Sequence, residues 1–121
     1  MADPQNFAEV TAVMEGYFDG LYHADTTRLA KVFHPDARYI NLIEDDYMNK
    51  SMVEYFEMVD RRIPPASKGE IRNDRLFSIE FGGTRMAYVR ASMTMMDREY
   101  LDFLTLSRDH LGWRIMTKVF T

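Results

Sequence analysis

The apolar residues of this chain change their spacing along the sequence. In the first half they recur every three or four positions, which is typical of amphipathic helices. Toward the carboxyl end they alternate with polar residues, which is typical of half-buried strands. Helices and strands segregated in this way predict an α+β fold, in which helices cover one face of a curved antiparallel sheet. A length of 121 residues is typical of one domain, so we expect residues 1–121 to form a single domain.

The first helix has a clear start signal. Asp3 can cap it, and Pro4 suits its first position. Gly16 and Gly20 weaken the helix slightly and indicate the close approach of another element. Its apolar face comprises Phe7, Val10, Met14, Tyr17, Phe18 and Leu21.

Two shorter helices are predicted after it. The second helix starts at Asp25, and Pro35 ends it, because a proline disfavours helical backbone at the preceding residue. The third helix begins near Asn49 or Ser51, and Ser51 with Glu54 forms a capping-box pattern. The apolar face of the second helix comprises Leu29, Val32 and Phe33.

Five strands are expected. One lies between the second and third helices, at residues 38–43. Gly82 and Gly83 mark the turn of a hairpin, and residues 109–112 mark another turn. The last four strands are predicted to form an antiparallel meander, at residues 75–81, 84–96, 100–108 and 113–120.

Charge and residue types exclude several function classes. The 15 basic and 19 acidic residues give a net charge of −4, which argues against an electrostatic nucleic-acid binder. The chain has no cysteine, and its 3 histidines lack metal-ligand spacing, so we expect no metal site. No glycine-rich phosphate loop is present, so we expect no nucleotide cofactor. No long apolar run predicts a signal peptide or a membrane segment, so we expect a cytoplasmic protein.

Aromatic residues and methionines are frequent. The chain has 8 Phe, 7 Tyr, 1 Trp and 10 Met, which suits an apolar cavity, an interface or an adaptable core. Apolar residues at helical spacing more often form a core than a binding site, so both interpretations stand. The aromatic residues that we expect to line a pocket for a flat ligand are Tyr17, Phe33, Tyr39, Tyr55 and Phe56.

Two stretches of the sequence resemble a known superfamily. The first includes YFDGL at residues 17–21 and VFHPDA at residues 32–37, and the second includes YLDFLTL at residues 100–106, followed by GWRI and KVF. With the predicted order of elements, they make the whole chain similar to the nuclear-transport-factor-2-like superfamily, and within it to the branch labelled lumazine-binding. That superfamily includes ketosteroid isomerases, SnoaL-like polyketide cyclases and scytalone dehydratase, so the fold alone does not define a function.

The resemblance implies a cone-shaped molecule. A strongly bent sheet wraps the first helix, and the open end forms a deep apolar pocket in which ligands bind. Members usually pair through the outer face of the sheet, which implies a homodimer here. We therefore interpret the chain as a cofactor-independent protein that binds a small apolar or aromatic metabolite. The alternatives are a cofactor-independent isomerase, cyclase or dehydratase, and a protein-interaction module.

The resemblance to ketosteroid isomerases implies roles for three residues. In those enzymes a tyrosine of the first helix and an aspartate of a strand donate hydrogen bonds to an enolate oxygen, and Tyr17 and Asp102 lie at matching positions. The position of the general base is Asn41, and an amide cannot accept a proton near neutral pH. Tyr17 and Asp102 are therefore candidate catalytic residues without a matching base. Alternatively, Tyr17 belongs only to the core.

The strand pattern predicts which side chains accompany Asp102. If the turns between the last strands keep even-numbered residues on one face of the sheet, the face of Asp102 also carries Arg90, Leu104 and Lys118. Arg90 and Lys118 could then hold an anionic or carbonyl-bearing ligand. Alternatively, one of them forms an ion pair with Asp102, because a buried unpaired charge is costly.

Three other polar features have simpler interpretations. His34 is a candidate acid or base near neutral pH, although the sequence His-Pro-Asp is also typical of a turn. Acidic residues 44–46 are expected to form a solvated turn. Arg61 and Arg62 suit the carboxyl end of the third helix, where basic side chains interact favourably with the helix dipole.

Overall fold

The structure, a computed structural model, describes residues 3–121 as three helices and a six-stranded sheet, which confirms the α+β prediction. The sheet is curved and unclosed. Among the described residues, no helix has both the length and the apolar character needed to cross a membrane. In chain order the elements are α1 (Pro4–Tyr22), α2 (Thr26–Val32), β1 (Phe33–Asn41), a 3-10 turn (Glu44–Asp46), β2 (Met48–Ser51), α3 (Met52–Asp60), a second 3-10 turn (Pro65–Lys68), β3 (Asp74–Gly82), β4 (Met86–Met95), β5 (Arg98–Asp109) and β6 (Gly112–Phe120).

The caps predicted for the first and third helices form, and Asp25, the predicted start of the second helix, caps α2. The Asp3 carboxylate accepts a backbone hydrogen bond of 2.8 Å at the start of α1, and Asp25 accepts two backbone bonds at the start of α2. Ser51, rather than Asn49, caps α3. Its hydroxyl and the Glu54 carboxylate form the two reciprocal bonds of a capping box.

The first strand differs from its predicted bounds. Helix α2 ends at Val32, and Phe33 has extended backbone and begins β1, so the assignment of Phe33 to the second helix was wrong. Pro35 lies within β1, at an interruption of its pairing with β6 between Phe33 and Arg38. A proline cannot donate to a strand ladder, and such interruptions accommodate it.

The sheet has the order β2-β1-β6-β5-β4-β3. The predicted antiparallel meander of the last four strands is confirmed. Strand β1 runs parallel to β6, so the sheet is mixed rather than antiparallel throughout. Strand β2, which pairs with β1, has only four residues and was missed, because so short a segment shows no alternation.

The turn between β4 and β5 decides which side chains share a face. It contains only Met96 and Asp97, with φ angles of 54° and 60°, so Met95 pairs directly with Arg98. This two-residue turn places odd-numbered residues of β4 beside even-numbered residues of β5. Arg90 is therefore exposed on the opposite face from Asp102, and the prediction that they share a face was wrong.

A second irregularity returns Lys118 to the inner face, which we define as the sheet face that packs against α1. The pairing of β5 with β6 shifts by one residue between Thr105 and Leu106. As a result Ile115 and Lys118 are both buried, although regular alternation along the strand would place them on opposite faces of the sheet. Leu104 and Lys118 thus lie on the inner face with Asp102, as predicted.

Helix α1 approaches α2 closely through its glycines. A Cβ atom added at Gly20 would lie 2.6 Å from Cδ2 of Leu29, and one added at Gly16 would lie 3.0 Å from Cγ1 of Val32. The expected close approach is therefore present. Tyr17, on the same helix, is fully buried.

Candidate functional site

A buried hydrogen bond joins the first helix to the middle of the sheet. The Tyr17 hydroxyl donates to Oδ2 of Asp102 at 2.5 Å, and both residues are 0% exposed. The other carboxyl oxygen of Asp102, Oδ1, is buried and has no hydrogen-bond partner within residues 3–121. Buried carboxyl oxygens rarely lack partners, so this atom is available to a ligand.

A buried lysine faces the same region. Lys118 is 2% exposed and forms no ion pair with any residue among 3–121. Its Nζ atom instead lies 5.0–5.7 Å from the ring centroids of four aromatic residues, and cation–π attraction offsets part of its desolvation. The four residues are Tyr17, Tyr39, Tyr55 and Phe120.

The ion pair expected for Asp102 is therefore absent. Tyr17 is its partner, rather than Lys118 or Arg90. The alternative that Lys118 or Arg90 neutralises Asp102 by direct contact was wrong. Arg90 cannot reach Asp102, because the two-residue β4–β5 turn places it on the opposite face of the sheet. Lys118 lies on the same face as Asp102, but its ammonium group is surrounded by aromatic rings.

Two stacked tyrosines form one wall of the site. The rings of Tyr39 and Tyr55 lie 4.1 Å apart at an angle of 17°. The Tyr55 hydroxyl is buried without a hydrogen-bond partner among the described residues. Nη1 of Arg62, just beyond the end of α3, is likewise buried and unpartnered. The structure thus leaves donors as well as an acceptor unpaired in this region.

Burial changes the acidity of the three tyrosines. Burial raises the pKa of Tyr17 well above 10.0, and the adjacent Asp102 carboxylate raises it further. Burial raises the pKa of Tyr39 to about 12, although Lys118 and Arg62 oppose this shift. The pKa of Tyr55 is also raised by burial, against a lowering effect of Arg62. At neutral pH all three hydroxyls are therefore protonated and can donate hydrogen bonds.

Asn41 is fully engaged in holding a loop. It is 0% exposed; its amide nitrogen donates to Asp46 Oδ2 at 2.7 Å, and its amide oxygen accepts from the backbone N–H of Ile43 at 2.9 Å. Arg98 donates to the same Asp46 oxygen at 2.9 Å. Acidic residues 44–46 thus include a structural anchor rather than only a solvated turn.

The third catalytic candidate lies elsewhere. His34 is on β1, five residues before Tyr39, which corresponds to about 16 Å along a strand. Its Nδ1 accepts a hydrogen bond of 3.0 Å from the backbone N–H of Asp36. The structure therefore does not bring His34 together with Tyr17 and Asp102.

The predicted aromatic residues divide between two places. Tyr17, Tyr39 and Tyr55 surround Lys118, as described. Phe33 and Phe56 are in contact with each other and also line a surface cavity of about 210 Å³ beside His34. Phe33 also makes edge-to-face contacts with Tyr17 and Tyr55, at 5.9 and 5.8 Å between ring centroids.

Sequence analysis missed two residues near the site. Arg62 was assigned only to the helix dipole, and Arg98 was not singled out. The Arg98 guanidinium lies 6.0 Å from the ring centroid of Phe120, and Phe120 is one of the aromatic residues around Lys118. No local pattern indicates either contact, because each joins residues that are distant in the sequence.

Solved structures show the same architecture. A protein of unknown function described as NTF-2 like, from Silicibacter pomeroyi, matches with a TM-score of 0.82 and 21% identity over 100% of this chain and 98% of that chain. An NTF2-like protein of unknown function from Shewanella baltica matches with 0.85 and 18%, over 100% and 96%. The CaMKII hub of S. rosetta matches with 0.71 and 16%, over 100% and 98%. At these identities the likeness shows the fold alone.

The sequence itself carries a family signal over nearly its whole length. No curated protein sequence matches it significantly. A family model described as "Putative lumazine-binding" matches residues 5–121. The solved structures show an NTF2-like fold, and the match over residues 5–121 means that the chain belongs to the family described as "Putative lumazine-binding".

Proposed function

We propose that the protein binds a small organic molecule at the interior cluster of Tyr17, Tyr39, Tyr55, Asp102 and Lys118. The observation that carries the proposal is the unpaired Oδ1 of Asp102, which is fully buried beside protonated hydroxyl groups. An unsatisfied buried polar atom costs about 1–3 kcal/mol. A ligand that donates a hydrogen bond to this oxygen would remove that cost.

The shape of the cluster favours a flat ligand. The rings of Tyr55 and Phe120 contact Tyr39, with centroids 4.1 and 4.6 Å from it, so a flat ligand would have to insert beside or between these rings. Aromatic surfaces with a few convergent polar groups are typical of small-molecule sites. The description of the family as lumazine-binding agrees with a flat heterocyclic or aromatic ligand.

The cluster is closed in this structure, so a ligand needs a route into it. The route that we propose is the loop of residues 42–47, between β1 and β2. Its side chains Leu42 and Tyr47 are 70% and 63% exposed, so few apolar contacts hold it. The Asp46–Arg98 ion pair connects it to Phe120 and so to the ring cage of Lys118.

Native mass spectrometry tests the proposal directly. The protein is purified from its own host, and any bound compound is released and identified. We expect a stoichiometric small molecule that is lost from the Tyr17→Phe and Asp102→Asn variants and retained by Tyr22→Phe, a control that removes a hydroxyl of α1 bonded outside the cluster. An empty protein whose melting temperature is unchanged by a small-metabolite extract would overturn the proposal.

A second candidate function is cofactor-independent isomerase, cyclase or dehydratase chemistry. It is favoured by the closeness of Tyr17 and Asp102, which lie at the positions of the two ketosteroid-isomerase donors, but here Tyr17 donates to Asp102, which accepts. Asn41 supplies no base, so the base would have to be Asp102 itself. Incubation with the released ligand distinguishes the two functions. Conversion of the ligand by the wild-type protein supports catalysis, and an unchanged ligand supports binding alone.

We further propose that the protein forms a homodimer through the outer sheet face, opposite the inner face. Leu101, Phe103 and Val119 are 39%, 42% and 42% exposed there, on the neighbouring strands β5 and β6. Tyr88 of β4 packs on Phe103 at 5.7 Å between ring centroids. A contiguous exposed apolar surface of this kind is typical of an interaction site, and a second copy of the chain would cover it.

A further inference from the structure

Two cations near the site have no anionic partner. Lys118 is almost completely buried, and neither Lys118 nor Arg62 forms an ion pair with any residue among 3–121. Buried charges in proteins are usually paired, because desolvation of an isolated charge is expensive. Cation–π contacts offset only part of this cost for Lys118. Asp102, the carboxylate of the same cluster, bonds Tyr17 instead, and Arg62 is half-buried with its Nη1 enclosed, so an added anionic group would give both cations a partner.

The two cations flank the same pair of rings. The Lys118 ammonium lies 5.3 Å from the ring centroid of Tyr39 and 5.7 Å from that of Tyr55. Arg62 follows the end of α3, the helix that carries Tyr55, and it faces the Tyr55 hydroxyl closely enough to lower the pKa of Tyr55, although neither that hydroxyl nor Nη1 makes a hydrogen bond of ordinary geometry. Both cations also lower the pKa of Tyr39, so both act on one region. Donors for an anionic oxygen therefore converge at the stacked tyrosines.

Asp102 requires a hydrogen-bond donor from the ligand, whereas the two cations require an anionic group. Its unpaired Oδ1 accepts a hydrogen bond and would repel an anionic group placed directly against it. The ligand must therefore present a negative group at one point and a hydrogen-bond donor at another. An aromatic acid with a hydroxyl or amino substituent has this arrangement on a flat frame.

We propose that the ligand of this cluster is a small aromatic carboxylic acid, whose carboxylate binds Lys118 and Arg62 and whose hydroxyl or N–H group donates to Asp102. The inference rests on the proposed small-molecule function and specifies the chemical class of the ligand. Tyr55 contributes a neutral donor to the same carboxylate. Because Tyr39 contacts both Tyr55 and Phe120, the aromatic ring of the ligand is accommodated only when one of these side chains moves aside.

Three related probes test the chemical class by calorimetry and by chemical-shift titration of the amide signals. They are 4-hydroxybenzoate, its neutral amide 4-hydroxybenzamide, and benzoate, which lacks the second donor. We expect 4-hydroxybenzoate to bind at least about 10-fold more tightly than the amide, because hydrogen bonds to charged groups are the stronger ones. Benzoate should bind more weakly than 4-hydroxybenzoate, because Asp102 then stays unpaired.

Matched variants test the residues. Lys118→Met and Arg62→Met should each weaken 4-hydroxybenzoate binding about 10-fold or more, whereas Arg61→Met should leave it unchanged. Arg61 is the exposed neighbour of Arg62, so it controls for the loss of a positive charge at the end of α3. If Lys118→Met does not fold, the comparison of Arg62→Met with Arg61→Met still tests whether the carboxylate of the ligand binds Arg62.

The outcomes separate this inference from the proposed function. Equal affinity for the acid and the amide, with shifts at the cluster, would overturn the carboxylate class and leave the small-molecule site intact. Equal binding of inorganic phosphate would likewise overturn it, in favour of unselective anion binding. Absence of binding by the acids, together with a neutral compound released in native mass spectrometry, would overturn the inference alone. Absence of any ligand in both experiments would overturn both proposals.

Discussion

The hydroxyl of Tyr17 donates a 2.5 Å hydrogen bond to Asp102, a residue 85 positions away in the sequence, and neither side chain is exposed. The bond joins α1 to the middle of the sheet. It satisfies only one of the two carboxyl oxygens of Asp102. The pair therefore stabilises the fold and also presents an acceptor to the interior.

Loss of this bond should destabilise the protein measurably. Tyr17→Phe leaves the carboxyl group of Asp102 without a protein partner, and we expect the free energy of unfolding to fall by about 1–3 kcal/mol. Urea denaturation measures the change. Tyr22→Phe on the same helix is the control, because it removes a hydroxyl bonded to a half-buried backbone carbonyl and should cost less. Equal losses in the two variants would contradict the special role of the buried pair.

Stability should fall at alkaline pH through the buried tyrosines. The pKa of Tyr39 is raised from 10.0 to about 12 in the folded state. Below pH 10 the hydroxyl is neutral in both states, so its contribution is fully present there. Above pH 10 the unfolded state loses its proton first, and the contribution is lost as the pH rises toward about 12.

Urea denaturation between pH 8 and pH 11 checks this dependence. One tyrosine contributes a slope of up to about 1.4 kcal/mol per pH unit in the alkaline range. Tyr39→Phe should reduce the slope, whereas Tyr47→Phe, which changes a 63% exposed side chain, should not. An identical alkaline slope in Tyr39→Phe and the wild type would refute the assignment.

Gly20 should tolerate no side chain. Its added Cβ would lie 2.6 Å from Leu29 Cδ2 and 2.8 Å from its Cγ, and Leu29 is fully buried and has little room to move. Overpacking of this kind costs about 1–3 kcal/mol, which exceeds the gain of about 1 kcal/mol from higher helix propensity. Thermal denaturation of Gly20→Ala should show a lower melting temperature. Gly16→Ala, with a 3.0 Å approach to one Val32 methyl group, should be milder.

The loop of residues 42–47 should loosen when its ion pair is removed. Arg98→Met breaks the 2.9 Å bond to Asp46, a half-exposed pair for which we expect about 0.5–1 kcal/mol. Hydrogen exchange of the Ile43 amide, which bonds to Asn41, should accelerate about 2- to 5-fold. Arg28→Met removes an exposed ion pair at the start of α2 and serves as the control. Unchanged exchange in Arg98→Met would exclude this residue as an anchor of the loop.

The outer sheet face should determine the oligomeric state. Sedimentation velocity should show a dimer for the wild-type protein and a monomer for Phe103→Glu. The introduced carboxylate would lose its hydration at the centre of an apolar interface, which strongly disfavours association. Leu111→Glu, which changes a 69% exposed residue in the β5–β6 turn, should remain dimeric. A wild-type monomer at high concentration would reject the dimer and leave this face to another partner protein.

Local sequence patterns determined most of the elements of this protein, but not the short strand β2. Asp3 and Ser51 were predicted as helix caps, and Asp25 was predicted as the start of the second helix. Gly82 and Gly83 were predicted to mark a hairpin turn, which lies at residues 83–85. Each of these signals acts over a few residues. The motifs at both ends of the chain also sufficed to indicate the family. These features depend on backbone preferences and on hydrogen bonds within one or two turns of chain.

Tertiary structure alone decided the composition of the site. The two-residue β4–β5 turn places Arg90 on the outer face of the sheet, and the register shift between β5 and β6 places Lys118 on the inner face. In both cases a displacement of one residue moves a strand side chain to the other face. The pairing of Tyr17 with Asp102 and the approach of Arg62 to Tyr55 join distant segments, and no local pattern records such contacts. The sequence therefore indicated candidate residues, and packing determined which of them meet.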